Sequence, residues 1–140
     1  MDVTEFEIGG VKLFSCIGDN SRDKVISAAL GGGRVEHLGS GAPYAVDADG
    51  RRIDCHISIT HTDKLCVIAV SDTPVGIDAE RLERRVPDSI GDIYRWTDTE
   101  AYVKCMGRGL RLDDVRRGGY KVDAYRKRLY GEYALSVYKS

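Results

Sequence analysis

The chain lacks both a long hydrophobic run and a strong excess of charge of either sign. Its 140 residues carry a formal net charge of −1, so a broad surface for nucleic acid or for an anionic membrane is not indicated. No apolar stretch approaches the ~18 residues of a membrane span, and residues 1–5 lack the basic and apolar character of a leader. These absences predict a cytoplasmic protein that binds neither nucleic acid nor a membrane.

Cysteine and histidine are present, but not in spacings that are typical of zinc sites. The 4 cysteines include no Cys-x-x-Cys pair, each lies among apolar neighbours, and the 3 histidines have no cysteine partners in such a spacing. Buried, reduced thiols are therefore favoured over zinc ligands and disulfides. The residues concerned are Cys16, Cys55, Cys66, Cys105, His37, His56 and His61.

Length and composition are those of one small globular domain. With 42% hydrophobic and 31% charged residues, the chain has enough apolar side chains to build a core. Each half also contains a predicted helix and predicted antiparallel strands. We therefore expect a single domain over residues 1–140, made of two pseudo-halves at about 1–72 and 73–140.

One helix is predicted in the first half. Ser21 is a good N-cap, an apolar stripe follows it, and a glycine run that begins at Gly31 ends the pattern. These signals predict a helix over residues 21–30. The glycine-rich segment continues to Gly41 without the Gly-Lys-Ser/Thr ending of a P-loop, so a flexible loop is favoured over a phosphate cradle.

Strands are predicted on both sides of the middle of the chain. Residues 56–60 alternate between polar and apolar side chains, and residues 65–70 form a continuous apolar run. The polar residues 62–64 between them predict a hairpin turn. Residues 75–79 follow a second turn, and we expect them to form the third strand of the same sheet.

The second half is predicted to contain a helix and a hairpin. The helix covers residues 97–106 and is closed by Gly107 and Gly109. Residues 121–126 and 133–138 have strand character and are joined by a glycine-containing turn. Together with the first half, this pattern predicts an α+β fold of small antiparallel sheets, each packed by a helix.

Two acidic clusters carry the clearest chemical signal. On a strand, Asp78 and Glu80 point to the same face, with Gly76 beside them to leave room for a ligand. On a helix, Glu100 and Lys104 lie one turn apart on one face. Three carboxylates suit a hard divalent cation such as Mg²⁺, and a lysine suits a phosphate. The clusters together predict a metal-phosphate site.

Each cluster alone has a simpler interpretation. Thr97 and Glu100 match a capping box, in which Glu100 reaches back to the backbone of Thr97. Glu100 and Lys104 also match a surface ion pair that stabilises a helix by about 0.3 kcal/mol. Asp78 and Glu80 could be two solvated acids at the end of a strand. Only the combination of the two clusters favours a functional site.

The order of these residues resembles the signature blocks of 4′-phosphopantetheinyl transferases, and more narrowly of the surfactin-synthetase-activating type. The resemblance runs from about residue 41 to residue 110. It implies a fold of two similar α+β halves with coenzyme A between them. The matching blocks are Gly41-Ala42-Pro43-Tyr44, Ile59-Thr60-His61, Val75-Gly76-Ile77-Asp78-Ala79-Glu80 and Trp96-Thr97-Asp98-Thr99-Glu100-Ala101-Tyr102-Val103-Lys104-Cys105-Met106-Gly107-Arg108-Gly109-Leu110.

The resemblance also implies a reaction. Such enzymes move the phosphopantetheine arm of coenzyme A to a serine of an apo carrier protein in fatty-acid, polyketide or nonribosomal-peptide synthesis, and release 3′,5′-ADP. Asp78, Glu80 and Glu100 would coordinate Mg²⁺ on the coenzyme A pyrophosphate. Glu100 would also be the general base for the serine hydroxyl. Lys104 would bind the pyrophosphate and protonate the leaving group.

Four further residues are implied in binding coenzyme A. Thr60 and His61 match a Ser-His pair that contacts the phosphates of the coenzyme, and Arg22 and Lys24 are candidates for its 3′-phosphate. From its position alone, His61 has an equally good interpretation as a structural histidine at a turn.

The chain also departs from the pattern of these transferases. Its N-terminal half is reduced, the two acidic clusters lie unusually close together in the chain, and Ala42 replaces a basic residue. A homo-oligomer would be one way to recover the missing surface. Two alternatives remain open: a non-catalytic relative that binds coenzyme A or a carrier protein, and another Mg²⁺-dependent nucleotide or phosphate enzyme.

Overall fold

The computed structural model describes residues 2–107 and 122–140. These residues form nine strands and two helices, and the strands pair only in antiparallel fashion. The predicted α+β class with small antiparallel sheets is therefore confirmed. In chain order the elements are β1 Thr4–Ile8, β2 Val11–Ile17, α1 Ser21–Leu30, β3 Arg34–His37, β4 Pro43–Val46, β5 His56–Thr62, β6 Leu65–Ser71, β7 Val75–Arg81, α2 Ile93–Cys105, β8 Tyr125–Leu129 and β9 Tyr133–Lys139.

Two sheets form the body of the molecule. The first sheet has the strand order β1-β2-β6-β5, and the second sheet has the order β7-β9-β8. The prediction that β7 continues the sheet of β5 and β6 is wrong, because the backbone of β7 pairs with β9 from the end of the chain. Sequence patterns indicate a strand but do not choose between partners so far apart in the chain.

Side-chain hydroxyls connect the edges of the two sheets. Ser58 Oγ on β5 accepts a hydrogen bond from Ile77 N on β7 at 3.0 Å, and Thr60 Oγ1 accepts one from Ala79 N at 3.0 Å. These hydroxyls satisfy buried amides that have no strand neighbour on that side. We call this line of contacts the seam.

The main core lies between the facing sides of the two sheets. Because side chains alternate along a strand, the apolar side of each sheet turns inward and leaves Asp78 and Glu80 on the opposite side of β7. The larger buried side chains of this core are Val11, Leu13, Leu65, Val67, Ile77, Tyr133, Leu135 and Val137.

Helix α1 covers the outer side of the first sheet. Val25 and Ile26 pack there against a second cluster that includes Phe14 and Ile68, and the predicted bounds of the helix are confirmed. The N-cap, however, is Asn20 in a left-handed conformation, with no side-chain capping bond. The prediction of Ser21 as the cap is wrong, since Ser21 is a buried residue of the first turn.

Helix α2 covers the outer side of the second sheet and begins earlier than predicted. The side chain of Asp92 caps it by accepting a hydrogen bond from Arg95 N at 2.8 Å. The predicted capping box at Thr97 is therefore wrong. Thr97 is fully buried inside the helix, where its hydroxyl donates to Tyr94 O and contacts Ser136 Oγ at 2.7 Å.

Gly76 allows α2 to approach β7 closely. A Cβ atom at this position would lie 1.9 Å from Ala101 O and 2.6 Å from Cys105 N. The space expected for a ligand at Gly76 is thus filled by the helix backbone, and that prediction is wrong. The glycine instead determines how near the acids of β7 lie to the side chains of α2.

The remaining predictions concern hairpins, cysteines and membrane spans. The segment expected as a loop contains the β3–β4 hairpin. The C-terminal hairpin is present as β8–β9, but its first strand was predicted too early: residues 122–124 are not in a strand, and β8 covers Tyr125–Leu129. Residue 121, the predicted start of that hairpin, and residues 108–110 of the motif lie outside the described residues. All 4 cysteines are unpaired, and Cys16 and Cys66 are buried. Neither described helix has the length and apolar character needed to cross a membrane.

Candidate functional site

Asp78, Glu100 and Lys104 converge where β7, α2 and the seam meet. The Nζ atom of Lys104 donates to Ile59 O at 3.2 Å and to Ile77 O at 3.1 Å, and it lies 3.6 Å from Asp78 Oδ1. Its single ammonium therefore bridges β5, β7 and a carboxylate. The one-turn spacing of Glu100 and Lys104 places both on the same side of α2.

Asp78 is almost shielded from solvent. Its residue is 8% exposed. The hydroxyl of Thr60, which accepts a bond from the backbone at the seam, donates its proton to Asp78 Oδ1 at 3.4 Å. Oδ2 is buried and makes no hydrogen bond within the described residues. Because buried polar atoms are normally satisfied, this oxygen is available to a donor or a cation from outside the described residues.

The charge balance of the site favours binding a cation. Burial raises the pKa of Asp78 to about 7, the ammonium of Lys104 opposes this rise, and the neighbouring Glu100 adds to it. Burial also raises the pKa of Glu100, against the opposing charges of Lys104 and Arg84. Each carboxylate would be stabilised in its ionised form by additional positive charge.

Glu80 lies on the same side of β7 but has other partners. Its Oε1 atom accepts a hydrogen bond from Thr62 Oγ1 at 3.2 Å, and its Oε2 atom pairs with the guanidinium of Arg84. Within residues 2–107 and 122–140, no three acidic, histidine or cysteine side chains lie close enough together to hold a metal ion. The predicted set of Asp78, Glu80 and Glu100 is thus not assembled as a ready-made metal site.

Two of the three acids nevertheless fit Mg²⁺. This ion commonly uses one or two protein carboxylates and completes its octahedron with water and substrate phosphates. The unbonded Oδ2 of Asp78 and the neighbouring carboxylate of Glu100 match that requirement. Glu80 could join them only after it separates from Arg84.

A cleft of about 410 Å³ leads away from Lys104 between the two halves of the fold. Its lining residues come from α1, the β3–β4 hairpin, β5, the start of β7 and the end of α2 with the residues that follow it. Lys104 is the lining residue that also contacts the acids. The cleft is lined by Arg22, His37, Ser40, Gly41, Ala42, Pro43, Ile57, Ser58, Ile59, Val75, Lys104 and Gly107.

The structure separates the four predicted coenzyme-binding residues. Arg22 lines the cleft, whereas Lys24 does not. Lys24 instead lies near Asp19, whose pKa is lowered mainly by Lys64 and more weakly by Lys24. Thr60 is buried at the seam and contacts Asp78. His61 is exposed at the end of β5, on the side of that strand that faces the cleft.

Asp98 holds α2 on the sheet, and sequence reasoning did not find this role. Its buried carboxylate accepts two hydrogen bonds from Arg126, at 2.6 and 3.1 Å, and another from Ser136. The guanidinium of Arg126 also lies over the ring of Tyr94. The only signal was an acid on the sheet-facing side of a helix, and its partners lie about 30 residues away in the chain.

Comparison with known proteins gives one partial similarity. No family model matches the chain. It is similar to the 4′-phosphopantetheinyl transferase gsp of Aneurinibacillus migulanus, at 30% identity over a segment that covers 42% of this chain and 34% of that protein. The chain thus spans about a third of the length of this curated relative. The similarity supports a transferase of that superfamily at most.

Proposed function

We propose that the protein transfers the 4′-phosphopantetheine arm of coenzyme A to a serine of an apo acyl or peptidyl carrier protein, with Mg²⁺. The observation that carries this proposal is the convergence of Asp78, Glu100 and Lys104 at one end of the cleft. The ammonium of Lys104, which suits a phosphate, lies beside Asp78 and Glu100, and these two acids are not fully neutralised by it.

The reaction breaks one phosphorus–oxygen bond and forms another. The serine Oγ attacks the phosphorus attached to pantetheine, the bond to the bridging oxygen breaks, and 3′,5′-ADP leaves. Glu100 takes the proton of the serine hydroxyl, for which its raised pKa is suited. Lys104 binds the pyrophosphate oxygens and protonates the leaving phosphate. Asp78 and Glu100 would hold Mg²⁺, and the ion would supply positive charge to the pyrophosphate.

The cleft supplies the binding surface for coenzyme A. Arg22 lies on its wall and is placed to bind an anionic group such as the 3′-phosphate. His61 contributes at the open end of β5, while Thr60 acts by positioning Asp78. Lys24 contributes only long-range charge. The proposed second substrate is a carrier protein that docks at this site. We also propose that the protein acts in the cytoplasm and forms a homo-oligomer.

A second candidate function is coenzyme A binding without transfer. The pairing of Glu80 with Arg84 favours it, because that ion pair leaves two acids rather than three for a metal. The cleft and Lys104 would then still bind the coenzyme. A different Mg²⁺-dependent phosphate enzyme is the third candidate, and it would not respond to coenzyme A.

One experiment separates these candidates. The protein is incubated with coenzyme A, Mg²⁺ and a panel of apo carrier proteins, and the carriers are weighed by mass spectrometry. We expect a gain of one phosphopantetheine that falls at least ~100-fold in rate in Asp78→Ala and Glu100→Gln. Asp49→Ala, in an exposed turn, is the control and should remain active. Binding of coenzyme A without any gain would support the second candidate, and no binding would exclude both.

A further inference from the structure

Arg84 acts on two acids of the candidate site, Glu80 by an ion pair and Glu100 by its charge. Its guanidinium pairs with Glu80 and lies over the ring of Trp96, with Cζ 5.1 Å from the ring centroid. The Arg84 side chain is 48% exposed, whereas that of Glu80 is only 12% exposed. The arginine can therefore swing into solvent, while the carboxylate is confined.

The same guanidinium acts on Glu100. The positive charge of Arg84 opposes the burial that raises the pKa of Glu100, after the larger opposing effect of Lys104. Lys104 in turn lies beside Asp78. Two side-chain cations thus act on all three acids. Lys104 offsets the charge of Asp78 and Glu100, and Arg84 offsets the charge of Glu100 and Glu80.

We propose that Arg84 is an internal counter-cation that holds Glu80 and Glu100 in the metal-free protein and releases Glu80 when a divalent cation binds. The inference rests on the proposed function. Both carboxylate oxygens of Glu80 are already used, one by Thr62 and one by Arg84. A divalent ion that takes Glu80 as a ligand therefore has to displace the guanidinium, and the two positive charges repel each other at short range.

The arrangement makes metal binding an exchange of cations. In the metal-free protein, the charge of Arg84 partly neutralises Glu80 and Glu100. An ion that uses Glu80 must first break this ion pair, so we expect Arg84 to weaken its binding. Removal of the guanidinium should therefore strengthen metal binding, which is opposite to the effect of losing a metal ligand.

The test compares Arg84→Met with Arg85→Met in the absence of coenzyme A. Methionine keeps an unbranched side chain against Trp96 and removes the charge, and Arg85→Met makes the same charge change one residue further along. Titration with Mn²⁺ followed by electron paramagnetic resonance should give a dissociation constant about fivefold lower for Arg84→Met, the value expected for loss of a half-exposed ion pair. Arg85→Met should stay within twofold of the unmodified protein.

A second readout needs no variant. Trp96 is the single tryptophan of the chain, and Arg84 lies over its ring. Saturation of the unmodified protein with Mg²⁺ should change the tryptophan emission as the guanidinium leaves the ring, and Arg84→Met should lose that change. Equal Mn²⁺ affinities, or Mg²⁺ saturation without a change in emission, would overturn the inference.

The two proposals fail in different ways. If the unmodified protein and Arg84→Met bind Mn²⁺ equally and phosphopantetheine transfer persists, only the role of Arg84 is wrong. If neither binds Mn²⁺, with or without coenzyme A, the metal-dependent reaction is wrong and the role of Arg84 with it.

Discussion

At the scale of single residues, Asp78 combines three unusual properties. It is nearly buried, one of its oxygens has no hydrogen-bond partner within the described residues, and its nearest charges are an ammonium and a second acid. Each property would be costly in a residue that served only the fold. A cation bound at Oδ2 would remove that cost, and this is the energetic argument for the proposed metal site.

The pKa of Asp78 predicts how stability depends on pH. Burial raises it to about 7 from an ordinary value near 3.8. The folded protein then holds a proton between about pH 4 and pH 7 that the unfolded chain has lost, so the free energy of unfolding falls as pH rises through this range. The difference between the unmodified protein and Asp78→Asn should change by roughly 2–4 kcal/mol.

Urea unfolding at a series of pH values from 4 to 8, without divalent cations, measures this effect. The stability of Asp78→Asn relative to the unmodified protein should rise with pH, since asparagine has no proton to lose. A difference between the two proteins that stays constant across this range would contradict the raised pKa.

At the scale of elements, the contact between α2 and β7 brings the acids together. Neither element holds the site alone, since Asp78 comes from the strand and Glu100 with Lys104 from the helix. Gly76 sets the distance between the two backbones, and Asp98 holds the helix against the sheet through Arg126. The site is therefore built by packing at residues that do not take part in the chemistry.

Gly76→Ala tests this role of packing. The added Cβ would meet backbone atoms of α2, which cannot rotate away, so α2 has to shift. We expect a loss of about 2–3 kcal/mol in the free energy of unfolding, together with weaker Mn²⁺ binding. Urea unfolding measures the first effect. Gly39→Ala, where an added Cβ meets nothing within 4 Å, should be close to neutral. Equal stabilities for both variants would show that the contact is not tight.

Local and distant interactions differ in how well the sequence predicts them. The bounds of α1, the C-terminal hairpin and the shared face of Asp78 and Glu80 follow from periods of two to four residues, and these were predictable. The partner of β7 and the capping of α2 were not. β7 pairs with a strand about 60 residues away in the chain. Asp92 and Thr97 are both suitable N-cap residues by sequence, and the structure uses Asp92.

The position of Arg84 shows the same limit within the site. Its spacing of four residues from Glu80 was visible in the sequence, but Glu80 belongs to β7 and Arg84 to the segment after it, so the two are not one turn apart on a helix. Only the fold brings the guanidinium between Glu80, Glu100 and Trp96. The sequence identifies the acids, whereas their counter-cations depend on tertiary contacts.

At the scale of the whole molecule, the seam joins the two sheets where their backbones do not pair. Thr60 donates to Asp78 Oδ1 and accepts from Ala79 N, so one hydroxyl serves both the fold and the site. The hydroxyl of Ser58 likewise accepts a hydrogen bond from Ile77 N, but it makes no hydrogen bond to the acid. The connection between the halves and the environment of the acid therefore cannot be changed independently.

Thr60→Val removes the hydroxyl but keeps the shape of the side chain. It leaves the Ala79 amide buried without an acceptor, and we expect a loss of about 1–3 kcal/mol in the free energy of unfolding. Hydrogen exchange at the Ala79 amide should speed up accordingly. Thr60→Ser, which keeps the hydroxyl, should recover most of the stability. Unchanged exchange at Ala79 in Thr60→Val would show that the seam bond contributes nothing.

The ammonium of Lys104 links the binding of a ligand in the cleft to the strength of the contact between β5 and β7. It has three N–H protons, and the oxygens of Ile59, Ile77 and Asp78 surround it. An anion that enters the cleft and binds this ammonium must take over at least one of these protons. Each hydrogen bond that the ligand forms with this ammonium is one that the junction between the halves loses. A ligand in the cleft and the oxygens at the junction therefore compete for the same ammonium, so binding of an anion should weaken the contacts between β5 and β7.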